Sequence, residues 1–301
     1  MNPKNAISQV SLQAPAKINL FLAITGKRED HYHEVNSILS TIELSDQITL
    51  LKTGERDEII CNCKEDTSLS GSNNLAYRAI EEWRKFTGDR TGVKVNITKR
   101  IPQMAGLGGG SSDAVATLRA LNLIHGQPVG QSGLLELAEK LGSDCPFFLS
   151  NGLGHASGRG EQVLNLSGPR QKELNGQRIF LFQPPLGFST PLLYEEIAKE
   201  SSYCDSMWAE ESVEKWKNGI LPVRKLFYND FEQVILKKYL FLKPLFKELK
   251  KCFGLQFQVS GSGSCCFSFA PEDQCVDSVV NVIKRSLGEN SHFWVSRICY
   301  G

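Results

Sequence analysis

Pro102-Gln103-Met104-Ala105-Gly106-Leu107-Gly108-Gly109-Gly110-Ser111-Ser112 sets four glycines and two serines between two patterned segments, and the rest of the chain is read outward from it. Upstream, Val93, Val95 and Ile97 alternate with Lys94, Asn96 and Thr98, the period of a half-buried strand. Downstream, Asp113 to Ile124 contains no Gly or Pro and is apolar on most sides, which predicts a largely buried helix starting near Ser111 or Ser112. The glycines then sit at a helix N-terminus, where unpaired backbone N–H groups and the positive end of the helix dipole meet. With no Cβ in the way, phosphate oxygens can approach that backbone closely. The stretch reads as a phosphate cradle. A plainer reading, a glycine-rich connection whose serines cap a core helix, stays open, although four glycines exceed what a cap needs.

Two common phosphate motifs do not fit. A P-loop needs Gly-Lys-Ser/Thr, and here Gly109 and Gly110 run into Ser111 with no lysine. A dinucleotide fingerprint needs a glycine three residues after Gly108, where Ser111 stands.

Other residues carry chemistry only in combination. Ala14 to Ile24 predicts a strand with Ile18, Leu20, Leu22 and Ile24 on one face and Lys17 and Asn19 on the other, either at a solvated edge or lining a polar cleft. A turn over residues 25–30 leads to His31-Tyr32-His33, which lacks the carboxylate or cysteine partners of a recognisable metal site. Asp144, in Ser143-Asp-Cys-Pro146, is open to reading as a helix cap, an Asx-turn or a base. Further helices are predicted at residues 74–86, with Asn73 or Asn74 as cap, and at 132–141, closed by Gly142. Two alternating segments fall at 37–42 and 47–51, and residues 152–166 suggest a hairpin.

Beyond a break at residues 168–176, a strand at 179–182 is followed by Ser189-Thr-Pro191 entering a helix. Residues 201–222 look irregular and read as an insertion. Helices at 229 onward, 245–253 and 276–287, with strands at 255–259, 266–270 and 293–299, give a small antiparallel sheet with helices packed on one face.

A chain of 301 residues has room for two domains, and 41% hydrophobic with 22% charged residues is ordinary for a soluble globular protein. A net charge of +1 gives no reason to expect a nucleic-acid partner, so small molecules are expected. No apolar run approaches a membrane span, and Met1 to Val10 lacks a signal peptide's apolar centre. The nine cysteines are odd in number with no CxxC pair, which suggests reduced thiols and a cytoplasmic protein.

Three segments taken together make a pattern. Pro15-Ala-Lys-Ile-Asn-Leu20, Pro102 to Ser112 and Val259-Ser-Gly-Ser-Gly-Ser264 resemble, in order and spacing, the three motifs of the GHMP kinases, the galactose, homoserine, mevalonate and phosphomevalonate kinase superfamily. Tyr32-His33, Leu141-Gly-Ser-Asp-Cys-Pro146 and Ser189-Thr-Pro191 are similar to the branch whose acceptor is a cytidine-diphosphate-linked methylerythritol. The resemblance implies an α+β two-domain fold, with a ribosomal-protein-like N-terminal sandwich over 1–168, a ferredoxin-like C-terminal sandwich over 177–301 and an active site between them. It implies ATP as co-substrate, Mg²⁺ with it, and transfer to a 2-hydroxyl on the non-mevalonate route to isoprenoid precursors.

By the same resemblance Lys17 and Asp144 are catalytic, Asp144 as base and Lys17 orienting it. Pro102, Gln103, Met104, Ala105, Gly106, Leu107, Gly108, Gly109, Gly110, Ser111 and Ser112 bind ATP. Asn19, Tyr32, His33, Thr190, Tyr194, Gly261, Ser262 and Gly263 bind the acceptor, with cytosine held between Tyr32 and Tyr194 and its edge read by His33. One departure stands out: the family usually has Gly before Tyr-His and this chain has His31; if the position needs a positive φ, His tolerates it better than a β-branched residue but less well than Gly. Other acceptors of the superfamily, or a nucleotide sensor on the same fold, are the alternatives.

Overall fold

The computed structural model describes residues 8–150, 152–200 and 202–300. Most of the polar lead at Met1 to Val10, and Ser201 at the head of the irregular segment, lie outside the described residues. The described chain forms two compact units, one of residues 8–16, 44–102 and 108–150, the other of 17–43, 103–107 and 152–300. Two long strands, β1 (Gln9–Lys27) and β2 (His33–Lys52), contribute residues to both, and so does the glycine stretch.

In the first unit β2 pairs antiparallel with β4 (Val93–Thr98), which pairs parallel with β3 (Ile59–Cys63). The two alternating segments read at 37–42 and 47–51 are one strand. The pattern along β4 is the predicted one: Val93, Val95 and Ile97 are buried and their neighbours half-exposed. A fully buried side chain of this size contributes roughly 1.5–3 kcal/mol over an exposed one.

Three helices, α1 (Leu75–Thr87), α2 (Gly109–Ile124) and α3 (Gln131–Leu141), pack on one another. Asn74 caps α1 by accepting from the Ala76 N–H at 2.8 Å. Helix α2 is buried almost all round, as its composition predicted, but it begins at Gly109 rather than at a serine. Its last residues are tied down by Asn122, whose amide donates to Val129 O at 2.9 Å and accepts from Val129 N at 3.0 Å.

In the second unit the hairpin of β5 (Leu153–Ser157) and β6 (Gln162–Asn165) adds to β2 through Ser37 to Ser40. The break read at 168–176 contains a short helix, α4 (Pro169–Leu174). Strand β7 (Arg178–Gln183) is buried from Ile179 to Phe182 without alternation, because it lies inside a four-stranded antiparallel sheet. Helix α5 (Thr190–Lys199) starts with Pro191 in its first turn. The segment read as irregular folds α6 (Ser206–Lys217), capped by Asp205 accepting from Trp208 N at 2.7 Å.

Strand β8 (Tyr228–Asn229) pairs parallel with Phe21 and Leu22 of β1. Then follow α7 (Phe231–Lys238), α8 (Leu242–Phe253), β9 (Gln258–Val259), β10 (Cys266–Phe269), α9 (Val276–Leu287) and β11 (His292–Arg297). The sheet order is β11-β7-β10-β9, and one of its faces packs Phe180 and Phe182 against Leu193, Ile197, Leu245 and Ile283. Among the described residues no helix is long and apolar enough to cross a membrane, and the nine cysteines are free thiols.

Candidate active site

The glycine stretch divides between the units at Leu107 and Gly108, and each half is held by its own surroundings. The second half opens α2. Gly108, at φ 68°, is the cap position, and no side chain caps the helix. The first intrahelical bond is donated by Ser112 N to Gly108 O at 2.9 Å, so the N–H groups of Gly109, Gly110 and Ser111 have no acceptor within the helix. The serines therefore do not cap, and the alternative that they do is set aside. Three adjacent donors at the positive end of a sixteen-residue helix make an anion site. The Ser112 hydroxyl is buried there with no partner among the described residues.

Beneath that turn lies a buried ion triplet that the sequence reading missed. Lys99 Nζ donates to Asp46 and, at 2.9 Å, to Asp113 in α2. Asp46 also accepts from the N–H groups of Arg100 and Ile101 at 2.6 and 2.8 Å, fixing the chain just ahead of Pro102. A Cβ on Gly109 would come within 3.4 Å of the Lys99 ammonium. Burial, with the Asp46 charge adding to it against the Lys99 attraction, holds the Asp113 carboxyl above the usual carboxylate range. The signal available in the sequence was slight: a charged residue at the edge of each of two patterned segments and one after the serines.

Asp144 belongs to the same unit and is half-buried, just ahead of a 3₁₀ turn at Pro146–Leu149. The cap position of that turn is Cys145, so the cap reading of Asp144 does not describe it. Cys145 is buried and hydrogen-bonded to the Ser111 side chain.

The first half of the stretch docks on the Ser260–Ser264 turn. Met104 and Ala105 carbonyls accept from Ser264 and Cys265 N–H groups at 3.3 and 3.1 Å, and the Ser260 hydroxyl donates to Gly106 O at 3.1 Å. Leu107 O accepts from Lys17 N at 2.9 Å. Gly106 has φ 73°, and a Cβ there would lie 2.0 Å from Ser260 O, so only glycine fits. A Cβ on Gly261 would stand 3.1 Å from Asn19 Oδ1 and 3.3 Å from Lys17 Nζ, which shows how closely that turn lies on the β1 pair.

Lys17 and Asn19 are both 5% exposed, which rules out the solvated-edge reading. Lys17 Nζ donates to Asn19 Oδ1 at 2.7 Å, Asn19 Nδ2 to Ser37 Oγ at 2.9 Å, and Ser37 Oγ to Phe21 O at 2.6 Å. Burying an ammonium without hydrogen bonds is costly, and this chain of donors fixes its direction. Ser37 was not foreseen.

His31 has φ 67°, the left-handed conformation the sequence reading anticipated, and it is exposed. Tyr32 beyond it is 54% exposed, with the Arg159 guanidinium 4.8 Å from its ring centre. Tyr194 is differently placed from the expected half of a sandwich. The His33 ring stacks on it at 4.5 Å and 17°, and Phe231 meets it edge-on at 4.9 Å. An imidazole thus takes the face expected for the base. Among the described residues His33 Nε2 is buried with no partner, and burial, helped by the Lys27 charge, pulls its pKa below the ordinary value, which favours the neutral ring. Thr190 Oγ1 and Ser262 Oγ lie 2.6 Å apart, and Gln183 Nε2 donates to Gln103 O at 3.3 Å.

Residues 74–152 match the GHMP kinases N terminal domain and residues 214–289 the GHMP kinases C terminal domain. A 4-diphosphocytidyl-2-C-methyl-D-erythritol kinase of Desulfitobacterium hafniense (strain Y51) is 35% identical over 295 residues, covering 96% of each chain. A crystal structure of 4-(cytidine 5'-diphospho)-2C-methyl-D-erythritol kinase superposes with a TM-score of 0.74 at 30% identity, over 97% of this chain and 100% of that one. The homoserine kinase of Cytophaga hutchinsonii, at 15% identity and a TM-score of 0.73 over 99% and 97%, shares the fold.

The ion triplet makes a pH prediction. Because the Asp113 carboxyl is held above its ordinary range, the folded chain keeps a proton that the unfolded chain releases, and relative stability falls as pH rises from the ordinary carboxylate range through neutrality. Asp113→Asn removes that proton exchange. Between pH 5 and pH 8 the wild-type Tm should drop by roughly 2–8 °C more than the variant's. Parallel Tm curves would mean that Asp113 does not titrate in this window.

Proposed function

The chain belongs to the GHMP kinases, in the family of the 4-diphosphocytidyl-2-C-methyl-D-erythritol kinases, and from that membership we propose that it uses ATP to phosphorylate the 2-hydroxyl of 4-diphosphocytidyl-2-C-methyl-D-erythritol. It is a phosphotransferase with an alcohol group as acceptor, in the non-mevalonate supply of isoprenoid precursors. The observation that carries the phosphate chemistry is the uncapped glycine end of α2, with three N–H donors and a buried, unpartnered hydroxyl facing no side-chain acceptor.

Phosphoryl transfer depends on positioning and charge stabilisation more than on covalent participation by the protein. In this reading Pro102 to Ser112 hold the nucleotide, its phosphates on the N–H groups of Gly109, Gly110 and Ser111. Mg²⁺ accompanies ATP and neutralises its phosphates, and the Ser112 hydroxyl suits either the ion or a phosphate oxygen. Asp144 takes the proton from the attacking hydroxyl. Lys17, its ammonium aimed by Asn19, offsets the charge that develops, and Asn19 positions the erythritol part. Gly261, Ser262, Gly263 and Thr190 line the acceptor, and Tyr32, His33 and Tyr194 take its cytidine end.

Since Tyr194 backs His33, its part is to fix the neutral imidazole that reads the base, while Tyr32 supplies the open stacking face. The division into an ATP-binding half, 1–168, and a second half, 177–301, belongs to the same proposal and is supported by one family match in each. So does a cytoplasmic location, which nine free thiols favour.

An ADP-release assay over a panel of the cytidylyl acceptor, mevalonate, homoserine and no acceptor tests the activity. Release only with the cytidylyl acceptor is expected; ATP binding without acceptor-dependent release would favour a nucleotide sensor. Asp144→Asn keeps the size of the residue but cannot accept the proton, so kcat should fall roughly 10²–10⁴-fold with KM values and Tm little changed. A kcat near wild type removes Asp144 from the mechanism.

Tyr32→Ala should raise KM for the cytidylyl acceptor about 10- to 100-fold, the worth of one base stack, and leave KM for ATP unchanged. Tyr194→Ala should do the same more weakly, through His33. A loss shared equally by both substrates, together with a lower Tm, would instead mark these tyrosines as packing residues.

A further inference from the structure

Asn229-Asp-Phe-Glu232, which reads in the sequence only as the start of a helix, makes three sets of buried hydrogen bonds that converge on one turn and one strand. Asn229 is 4% exposed, and its Nδ2 donates at 2.8 Å to both Val259 O and Gly261 O. Its Oδ1 accepts from Phe231 N at 3.0 Å, which sets the amide's orientation. Glu232 Oε1 accepts from Val259 N at 2.7 Å. Both polar groups of Val259, the residue that leads into the glycine turn, are thus held by this tetrapeptide.

Asp230, fully buried between them, accepts from Ile24 N at 2.6 Å, from Tyr228 Oη at 2.5 Å and from Gln233 Nε2 at 2.9 Å, while its own N–H donates to Leu22 O at 3.0 Å. The same four residues therefore hold β1, which carries Lys17 and Asn19, and the turn carrying Gly261. Gln258 completes the tie by donating to Asn19 O at 2.9 Å.

We propose that Asn229 and Glu232 are positioning residues for the acceptor: they fix the Ser260–Gly263 turn on the Lys17 and Asn19 pair, and so set the shape of the surface that receives the polyol. The proposal rests on the reading that this turn lines the acceptor site. Neither residue needs to touch substrate. What they control is how far the Gly261 backbone stands from the Lys17 ammonium and the Asn19 amide, a separation at which an added Cβ would lie 3.1 Å from Asn19 Oδ1. The turn is also held by Ser260 N donating to Cys265 O, Gly263 N to Ser260 O, Ser264 N to Met104 O and Ser260 Oγ to Gly106 O, whereas the Val259 and Gly261 carbonyls accept from Asn229.

The test uses the full-length chain. Asn229→Asp keeps the shape and the bond from Phe231 N but loses both donors, and Glu232→Gln keeps the acceptor for Val259 N while Glu232→Ala removes it. Asn229→Asp and Glu232→Ala should each raise KM for the cytidylyl acceptor about 10- to 100-fold with KM for ATP within about 2-fold, the loss expected for one or two buried hydrogen bonds. Glu232→Gln should stay within about 3-fold of wild type for both. Amide hydrogen exchange across residues 258–264 should quicken in the first two variants and not in the third, while exchange in α1 to α3 stays as in wild type. Equal rises in both KM values, a Glu232→Gln as impaired as Glu232→Ala, or unchanged exchange over 258–264 would each overturn the inference. Should the wild-type chain show no acceptor-dependent turnover, the functional reading fails on its own, and the exchange measurement still decides whether these side chains hold the turn.

Discussion

Backbone packed on backbone is the constraint behind the second unit's part of the site. Gly106 comes so near the Ser260 carbonyl that a single added methyl would overlap it, and a Cβ on Gly261 would stand 3.3 Å from the Gly106 carbonyl. Such approaches let main-chain groups, whose positions are set by hydrogen-bond ladders, do what side chains do elsewhere. The carbonyls of Met104, Ala105 and Leu107 are all taken by neighbouring N–H groups, so the first half of the glycine stretch is a fixed element and not a loop in the loose sense. Rigidity of this kind matters for a kinase because its contribution to catalysis is mostly geometric.

Each unit also buries a lysine, and the two solve the cost of doing so differently. Lys17 donates to a neutral amide whose other end is tied through Ser37 to a backbone carbonyl. Lys99 meets two carboxylates, one of which also fixes the backbone ahead of Pro102. A buried ammonium is expensive unless hydrogen bonds or counter-charges offset its lost hydration, and both lysines have such partners.

The elements that were legible in the sequence are those whose signal is local. Strand β4, helix α1 with Asn74, helix α9 and the Gly254 stop of α8 follow from period, cap and left-handed glycine, all set by neighbours in the chain. Helix α6 was missed because its polar face and the irregular residues on either side hide a stripe that packs Ala209, Val213 and Trp216. The start of α2 was misjudged by two residues because glycine's low helix propensity argues against Gly109 and Gly110, whereas the surrounding pack, with Ile101 3.1 Å from the place of a Gly109 Cβ, holds them helical.

By itself the sequence determined the family, through three short motifs in a fixed order, and with it the mixed α+β fold and the chemistry of phosphoryl transfer. It also marked His31 as a departure from the family's usual glycine, and the structure places that residue at a positive φ. Only the tertiary structure decided that Lys17 and Asn19 are buried, that Tyr194 stacks on His33, that Asp46, Lys99 and Asp113 meet, and that Asn229 and Glu232 reach the Gly261 turn. These pairs are separated in the chain by tens to hundreds of residues. Burial and partnership of a polar side chain depend on what the folded chain brings to it from elsewhere, and no local period or propensity encodes that.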